Sequence, residues 1–479
     1  MEQSVNPFDR DTICAVSTPP GVGGIAVIRV SGPSAINAVN EIWKGASLLD
    51  VKSHTVHLGS IIDPDDGTVL DQAVATVFRA PNSFTGDDVV ELSVHGSSYV
   101  QQRLVRILTD GCRLRLAQPG EFTQRAFASG KLSLTQAEAV ADMIASKSRA
   151  AHRIATTQFS GKTHSRLIAL RDRLMDLTSL LELELDFSEE DVTFADRSSL
   201  LANARLIREE IDRLLRSFSA GQAIRDGIPV AIVGATNAGK SSLLNSLVDD
   251  DRAIVSDIHG TTRDTIEATA TIGDYLFRFI DTAGIRDTDD TIERLGIERS
   301  RKAIASASVI LLVMDASSPL SEETILAAEQ SVKDSTGENN PLVVTLLNKI
   351  DLIDTVRQEE LSNLLSIGPQ DNSTPPQNRL CISTSTGTGL DTLRDLLAAH
   401  MASLDRADDI MITNERHRQQ LAEARQSIDR VIDAMRQGLS SDLIAIDLRA
   451  TIQALSMLTG DITTPQILNR IFSRFCIGK

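Results

Sequence analysis

The sequence predicts a multidomain α/β protein: an N-terminal α+β domain, a helical bundle domain, and a parallel sheet with helices on both faces inserted into that bundle. Three observations predict it. Short β-rich runs with turn punctuation fill the chain to about residue 127. Helical periodicity takes over from Leu132 to about Gly221 and returns from about Thr413 to Ser473. Between them, from about Ile228 to His400, apolar β-like runs alternate with amphipathic segments, the pattern of a helix-covered parallel sheet. The expected boundaries are 1–127, 128–222, 223–400 and 401–479.

In the first segment the strand-like runs are TICAVST, IAVIRVSG, HTVHLGSII, AVATVFRAP and VVELSVHG, followed by a helix in SSYVQQRLVRILTDG. The glycine-rich Gly21-Val22-Gly23-Gly24 lies between two strand-like runs rather than between a strand and a helix, so it reads as a turn and not as a dinucleotide loop. The helical segment has one interior glycine, Gly161. The strand-like runs of the third segment are IPVAIVG, LFRFIDTAG, VILLVMDAS, LVVTLLNK and RLCISTS. Isolated helices bury too little surface to be stable, so the helical stretches on either side are expected to form one bundle; two small bundles are the alternative.

A chain of 479 residues, 42% hydrophobic and 24% charged, is long enough for several well-packed domains. Its formal net charge of -17 excludes a protein that coats nucleic acid by bulk electrostatics, because phosphate contacts need positive potential. A local basic patch is open to Arg103, Arg106, Arg113 and Arg115, or to Arg166, Arg171 and Arg173; the alternative is solvated arginines on amphipathic faces. Cys14, Cys112, Cys381 and Cys476 lack the spacing of a disulfide framework or zinc site. The start, MEQSVNPFDRDTI, lacks the basic residues and apolar run of a signal peptide, and no stretch has the apolar length to cross a bilayer. The expectation is a cytoplasmic protein with no membrane partner.

The run IPVAIV leads into Gly234-Ala-Thr-Asn-Ala-Gly239-Lys240-Ser241 and then SLLNSL, matching the phosphate-binding loop in spacing and context. Glycines there let the backbone N–H groups of Asn237, Ala238, Gly239, Lys240, Ser241 and Ser242 close around phosphate at a helix N-terminus. Lys240 reaches the terminal phosphates and Ser241 ligates Mg2+. Asp281-Thr282-Ala283-Gly284 follows LFRFI, where the aspartate can hold Mg2+ through water and Gly284 can sense the γ-phosphate. Between the two, Gly260-Thr261-Thr262-Arg263-Asp264 offers a threonine to complete the Mg2+ shell.

Base identity comes from Asn348-Lys349-Ile350-Asp351: the carboxylate of Asp351 accepts two N–H bonds from guanine, and adenine has no such donor pair. Ser383-Thr384-Ser385 fits a backbone loop closing over the guanine carbonyl. Each element alone has a bland reading as a turn or helix cap. Five in this order predict a P-loop GTPase domain that binds GTP.

Hydrolysis needs an oriented water, yet the position after the DxxG glycine is Ile285, which cannot orient one. Glu293 is a candidate; its alternative role is a carboxylate favoured at a helix N-terminus.

GATNAGKSS, AIVSDIHGTTRD, FIDTAGIRDT, IERLGIERS and the terminal FCIGK together resemble the MnmE (TrmE) family of tRNA modification GTPases, as do TPPGVGGIAVIRVSG and QPGEFTQRAFASGKLSLTQAEAVADMI. The resemblance covers nearly the whole chain. It implies a homodimer joined through N-terminal folate-binding domains, a G domain inserted into a helical domain, and a heterotetramer with an FAD-dependent enzyme of the MnmG (GidA) type. That assembly would place a carboxymethylaminomethyl-type group on C5 of the wobble uridine of certain tRNAs. The implied one-carbon donor is 5-formyl- or methylene-tetrahydrofolate, at a site involving Arg29, Glu91, Lys131 and Lys479. Cys476 is implied near that site; as a lone cysteine between Phe475 and Ile477 it can also simply be buried.

The resemblance further implies a K+ site from the Asn237 side chain and the loop of Ser256, Ile258 and Thr261, Thr262 as Mg2+ ligand, and Glu293 as the catalytic glutamate. K+ would then supply the charge that an arginine finger supplies elsewhere. Departures from the usual pattern are Thr236 for a proline, Ser97 for a second glycine, and Pro465 and Gln466 for acidic residues. The competing function is a regulatory GTPase switch in ribosome or ribonucleoprotein assembly, which performs no RNA chemistry and has no need of the N-terminal domain and FCIGK tail.

Overall fold

The computed structural model describes residues 11–186, 197–248, 268–280, 303–336, 340–366, 378–405, 410–473, 475 and 477–478. The chain divides into two compact units, one of residues 1–144, 156–211 and 419–479, the other of 145–155 and 212–418.

Among the described residues, the first unit holds a seven-stranded sheet in the order β3-β4-β5-β6-β2-β1-β7. The strands are β1 (Ile13–Val16), β2 (Gly23–Ser31), β3 (Trp43–Lys44), β4 (Thr55–Ile62), β5 (Val69–Phe78), β6 (Val89–Gly96) and β7 (Arg115–Leu116). All neighbours pair antiparallel except β1 and β7. Alternation decides which face is buried: Ile28, Val30, Ala75, Val77, Val90 and Leu92 turn inward onto helices Ala35–Glu41 and Ser98–Arg106, with Ile36, Val39 and Leu104 in the same core. Of the glycine-rich 21–24 segment, Gly21 and Val22 lie in the connection before β2 while Gly23 and Gly24 begin the strand, so the segment leads into a strand and not into a helix.

Gly161 adopts φ +83° and separates helix Arg149–Phe159 from helix Lys162–Asp186, so the one interior glycine marks a break that other residues would strain to make. Helix Lys162–Asp186 packs along helix Ser441–Thr459 of the C-terminal stretch, joined at the surface by Arg449 and Glu182 (2.6 Å) and by Arg171 and Asp461. The helix Pro465–Phe472 packs on helix Glu121–Ala128; proline at its first position needs no N–H partner, which accommodates the departure at Pro465. Beyond it the chain returns to β1, where the hydroxyl of Ser17 donates to the carbonyl of Gly478 (3.1 Å).

The arginines considered for a basic patch are largely neutralised. Arg103 is paired with Asp63 (2.6 Å) and Asp65, Arg115 with Asp11 and Glu121 (both 2.6 Å), Arg166 with Glu210 (2.7 Å), and Arg171 with Asp172 (3.0 Å) and Asp461. Arg106, Arg113 and Arg173 are exposed. An arginine with its carboxylate in place offers phosphate little net charge, and the solvated-face reading is the one the structure favours.

The second unit contains, among the described residues, a six-stranded sheet in the order β13-β12-β11-β8-β10-β9. Its strands are β8 (Ile228–Gly234), β9 (Ala268–Ile272), β10 (Tyr275–Phe279), β11 (Val309–Asp315), β12 (Leu342–Asn348) and β13 (Arg379–Cys381). All neighbours run parallel except the β9–β10 hairpin. The strand β9, ATATI, lacks the branched apolar run that marked the others, which is why the sequence reading did not find it. Ile228, Val230, Phe277, Phe279, Val309, Leu311, Val344 and Leu346 form the core with Leu243, Leu247, Leu393 and Leu397 from helices Lys240–Val248 and Leu390–Leu404. Near-continuous apolar strands follow from burial on both faces, and they bring the C-terminal ends of β8, β11, β12 and β13 to one edge.

Candidate functional site

At the end of β8 the chain must turn from strand to helix within a few residues. Gly234 does so at φ +153°, with the carbonyl oxygen of Val313 on β11 only 2.1 Å from where a Cβ would stand. Asn237 sits in the left-handed region at φ +65°, a conformation asparagine tolerates better than other side-chain-bearing residues, and Gly239 adopts φ +97°. Lys240, Ser241 and Ser242 then form the first turn of the next helix, where N–H groups lack intrahelical partners. The Lys240 ammonium donates to the carbonyls of Gly234 (3.0 Å) and Ala235 (2.8 Å), and burial holds its pKa below the ordinary lysine value. A cation held beside the unpartnered N–H groups of a helix's first turn is chemistry for an anion.

The end of β12 supplies the second cluster. Asn348, fully buried, donates through Nδ2 to the carbonyl of Ala238 (2.9 Å) and accepts at Oδ1 from the N–H of Thr384 (3.1 Å), tying the loop after β8 to the loop after β13. The fit is close: a Cβ on Gly239 would lie 2.1 Å from that Nδ2. The chain leaves Asn348 through Lys349 at φ +68° into a short turn, Ile350–Leu352, carrying Asp351. The Asp351 carboxylate accepts from the hydroxyls of Ser383 (2.6 Å) and Ser385 (2.8 Å), which hold its pKa below the usual carboxylate value. Gly389, φ +78°, closes the loop after β13, where an added Cβ would meet the Cys381 carbonyl at 2.4 Å. One residue here was given no role by the sequence reading: Asp315, the last of β11, accepts from the Lys349 ammonium (2.6 Å). Its signal is the acidic end of the apolar run VILLVMD, parallel to that of LFRFID.

The structure thus brings Asn237, Ala238, Gly239, Lys240, Ser241 and Ser242 into one loop and joins it, through Asn348, to Lys349, Asp351, Ser383 and Thr384. Ser256, Ile258, Thr261, Thr262, Asp281, Thr282, Ala283, Gly284 and Glu293 lie outside the described residues. In the first unit Arg29 and Glu91 are opposed on β2 and β6 and paired at 2.7 Å, with the Arg29 guanidinium over the rings of Phe122 (5.4 Å) and Phe84 (5.7 Å). Lys131 is exposed just beyond helix Glu121–Ala128; Cys476 and Lys479 lie outside the described residues.

Two known protein families match the chain. The family described as "GTP-binding protein TrmE N-terminus" matches residues 12–131, and that described as "MnmE helical domain" matches 134–476. The chain belongs to the MnmE family. The tRNA modification GTPase MnmE of Parabacteroides distasonis is 47% identical over 476 residues, covering 98% of this chain and 100% of the relative. Its counterpart in Bacteroides thetaiotaomicron is 46% identical over 479 residues, with the same coverage. That in Flavobacterium johnsoniae is 41% identical over 477 residues, again at 98% and 100%. Membership in the MnmE family extends beyond the G domain, since both the N-terminal domain and the helical domain match it. No described helix is long and apolar enough to cross a membrane.

Proposed function

We propose that the chain is a K+-stimulated GTP hydrolase that acts, with an FAD-dependent partner of the MnmG type, to modify C5 of the wobble uridine of certain tRNAs. The GTPase and tRNA-modification parts follow from the family. The observation that carries nucleotide binding is the Asn348 bridge, which ties an anion-binding loop to a loop bearing a carboxylate suited to guanine. A protein that needs only a turn at these positions has no reason to bury an asparagine between them.

In this reading Lys240 and the amides from Asn237 to Ser242 hold the phosphates, and Ser241 with Thr262 binds Mg2+. Asn237 with Ser256, Ile258 and Thr261 binds K+, Asp281 to Gly284 senses the γ-phosphate, and Glu293 orients the attacking water. The ground for Ser241 is its place in the first turn of the helix, directly after Lys240. The paired Arg29 and Glu91, with two rings near the guanidinium, suit a flat pterin-like heterocycle: such a ring system offers donors, acceptors and a flat face. Lys131, Lys479 and Cys476 complete the proposed folate and one-carbon site of a homodimer.

Asp351→Asn is expected to weaken GDP binding about a hundredfold and to raise relative affinity for xanthosine diphosphate. The amide turns a donor toward the guanine N–H, whereas xanthine presents a carbonyl there; titration of fluorescent diphosphates reads both.

The deciding experiment is steady-state GTP hydrolysis in KCl and in NaCl at equal ionic strength with Mg2+. About tenfold or greater activation by K+ is expected, because a cation beside the transferring phosphoryl group offsets developing charge. Equal, slow rates in both salts favour the regulatory-switch reading.

A further inference from the structure

We infer that Asp315 is a positioning residue for guanine selectivity: by holding the Lys349 ammonium, it keeps the Asp351 carboxylate free for the base. The inference rests on the reading of the Asp351 loop as the guanine site.

The argument begins with a conflict inside the loop. Lys349 and Asp351 stand two residues apart in one tight turn, and the lysine charge already acts on the Asp351 carboxylate. Left alone, opposite charges in so short a turn pair with each other, and a carboxylate engaged by an ammonium is a poorer acceptor for the two N–H groups of guanine. The fold prevents this from the neighbouring strand. Asp315 and Asn348 are register partners on β11 and β12, so the carboxylate at the end of β11 stands beside the residue preceding Lys349. The N–H of Ala316 donates to the Asn348 carbonyl at 2.8 Å, fixing the two strand ends together.

Asp315 divides its two oxygens. Oδ1 accepts from the N–H (2.9 Å) and hydroxyl (2.6 Å) of Ser317, which orients the carboxyl plane, and Oδ2 accepts from Lys349 at 2.6 Å. Those bonds outweigh partial burial and keep Asp315 ionised below the ordinary carboxylate range. Asp351 is left with the hydroxyls of Ser383 and Ser385, one on each oxygen. Each carboxylate oxygen accepts more than one bond, so both remain open to the base, and neutral hydroxyls compete with it less than an ammonium does. The left-handed backbone of Lys349, φ +68°, sends the stem off on a path whose far end is anchored before any nucleotide arrives.

The test uses the full chain and two probes, GDP and inosine diphosphate, which lacks the exocyclic amine that Asp351 would accept. The ratio of their dissociation constants reports how available that carboxylate is. Asp315→Asn keeps the side-chain shape and an acceptor for Ser317 but drops the charge that holds the lysine. The ratio is expected to fall about tenfold, and to recover in Asp315→Asn/Lys349→Met, where no ammonium remains to capture Asp351. A purely structural Asp315 predicts no such recovery. An unchanged ratio in Asp315→Asn, or a double variant no better than the single one, overturns the inference. Should Asp315→Asn not fold, Lys349→Met carries the test: a ratio at or above the wild-type value supports the inference, and a collapsed ratio refutes it. Failure of the wild-type protein to distinguish the two nucleotides removes the guanine-site reading instead.

Discussion

Gly234→Ala is expected to abolish nucleotide binding and to destabilise the parallel-sheet domain by about 3 kcal/mol or more. Two costs coincide. The backbone at φ +153° is a conformation that side-chain-bearing residues rarely adopt, and the new methyl would lie 2.1 Å from the Val313 carbonyl oxygen and 3.1 Å from its carbon. That neighbour is the backbone of the adjacent central strand, registered opposite Gly234, so relief requires β8 and β11 to part. The parting occurs where the chain enters the loop whose amides and Lys240 would hold phosphate, so binding fails together with packing. Denaturant titration and fluorescent-GDP binding on the same preparation check the pair. Wild-type affinity in a stably folded variant would show that the sheet yields at this point and that the close approach is not required.

Glu293→Ala is expected to leave GTP affinity within about twofold while lowering turnover about a hundredfold or more, the usual effect of losing a positioned proton-handling group. The case is one of elimination and position. Ile285 occupies the place from which a glutamine orients water in other P-loop GTPases, so another side chain must do so. Glu293 is the side chain proposed above for that role, at the position where the sequence resemblance implies a catalytic glutamate. Single-turnover hydrolysis beside equilibrium binding separates the two quantities, and full turnover in the variant would remove Glu293 from the mechanism.

The legibility of the site differed with the kind of residue. Phosphate and guanine chemistry demands fixed residue types at short spacing, so Gly234, Gly239, Lys240, Asn348 and Asp351 could be read from sequence within two of the five ordered elements. Asp315 could not, because its partner Lys349 is distant along the chain and the two meet only when β11 and β12 align. The hairpin strand β9 escaped for a different reason: ATATI alternates, but its apolar positions are two small alanines and a single isoleucine, and its pairing with β10 supplies the hydrogen bonds that its side chains do not advertise. The arginines left two readings open, since sequence shows their charge but not the carboxylates that fold against them.

By itself the sequence determined the α+β, helical and parallel-sheet sections, the phosphate loop and the guanine loop, and the family. These depend on local periodicity and on motifs whose spacing the nucleotide dictates. Only the tertiary structure decided that Asn348 joins the two loops, that Asp315 takes the Lys349 ammonium, that Arg29 meets Glu91, and that the chain after Phe472 returns to β1. Each of these is a contact between residues far apart in sequence. Which of several chemically suitable partners a polar side chain finds is settled by strand register and packing, which no local pattern encodes.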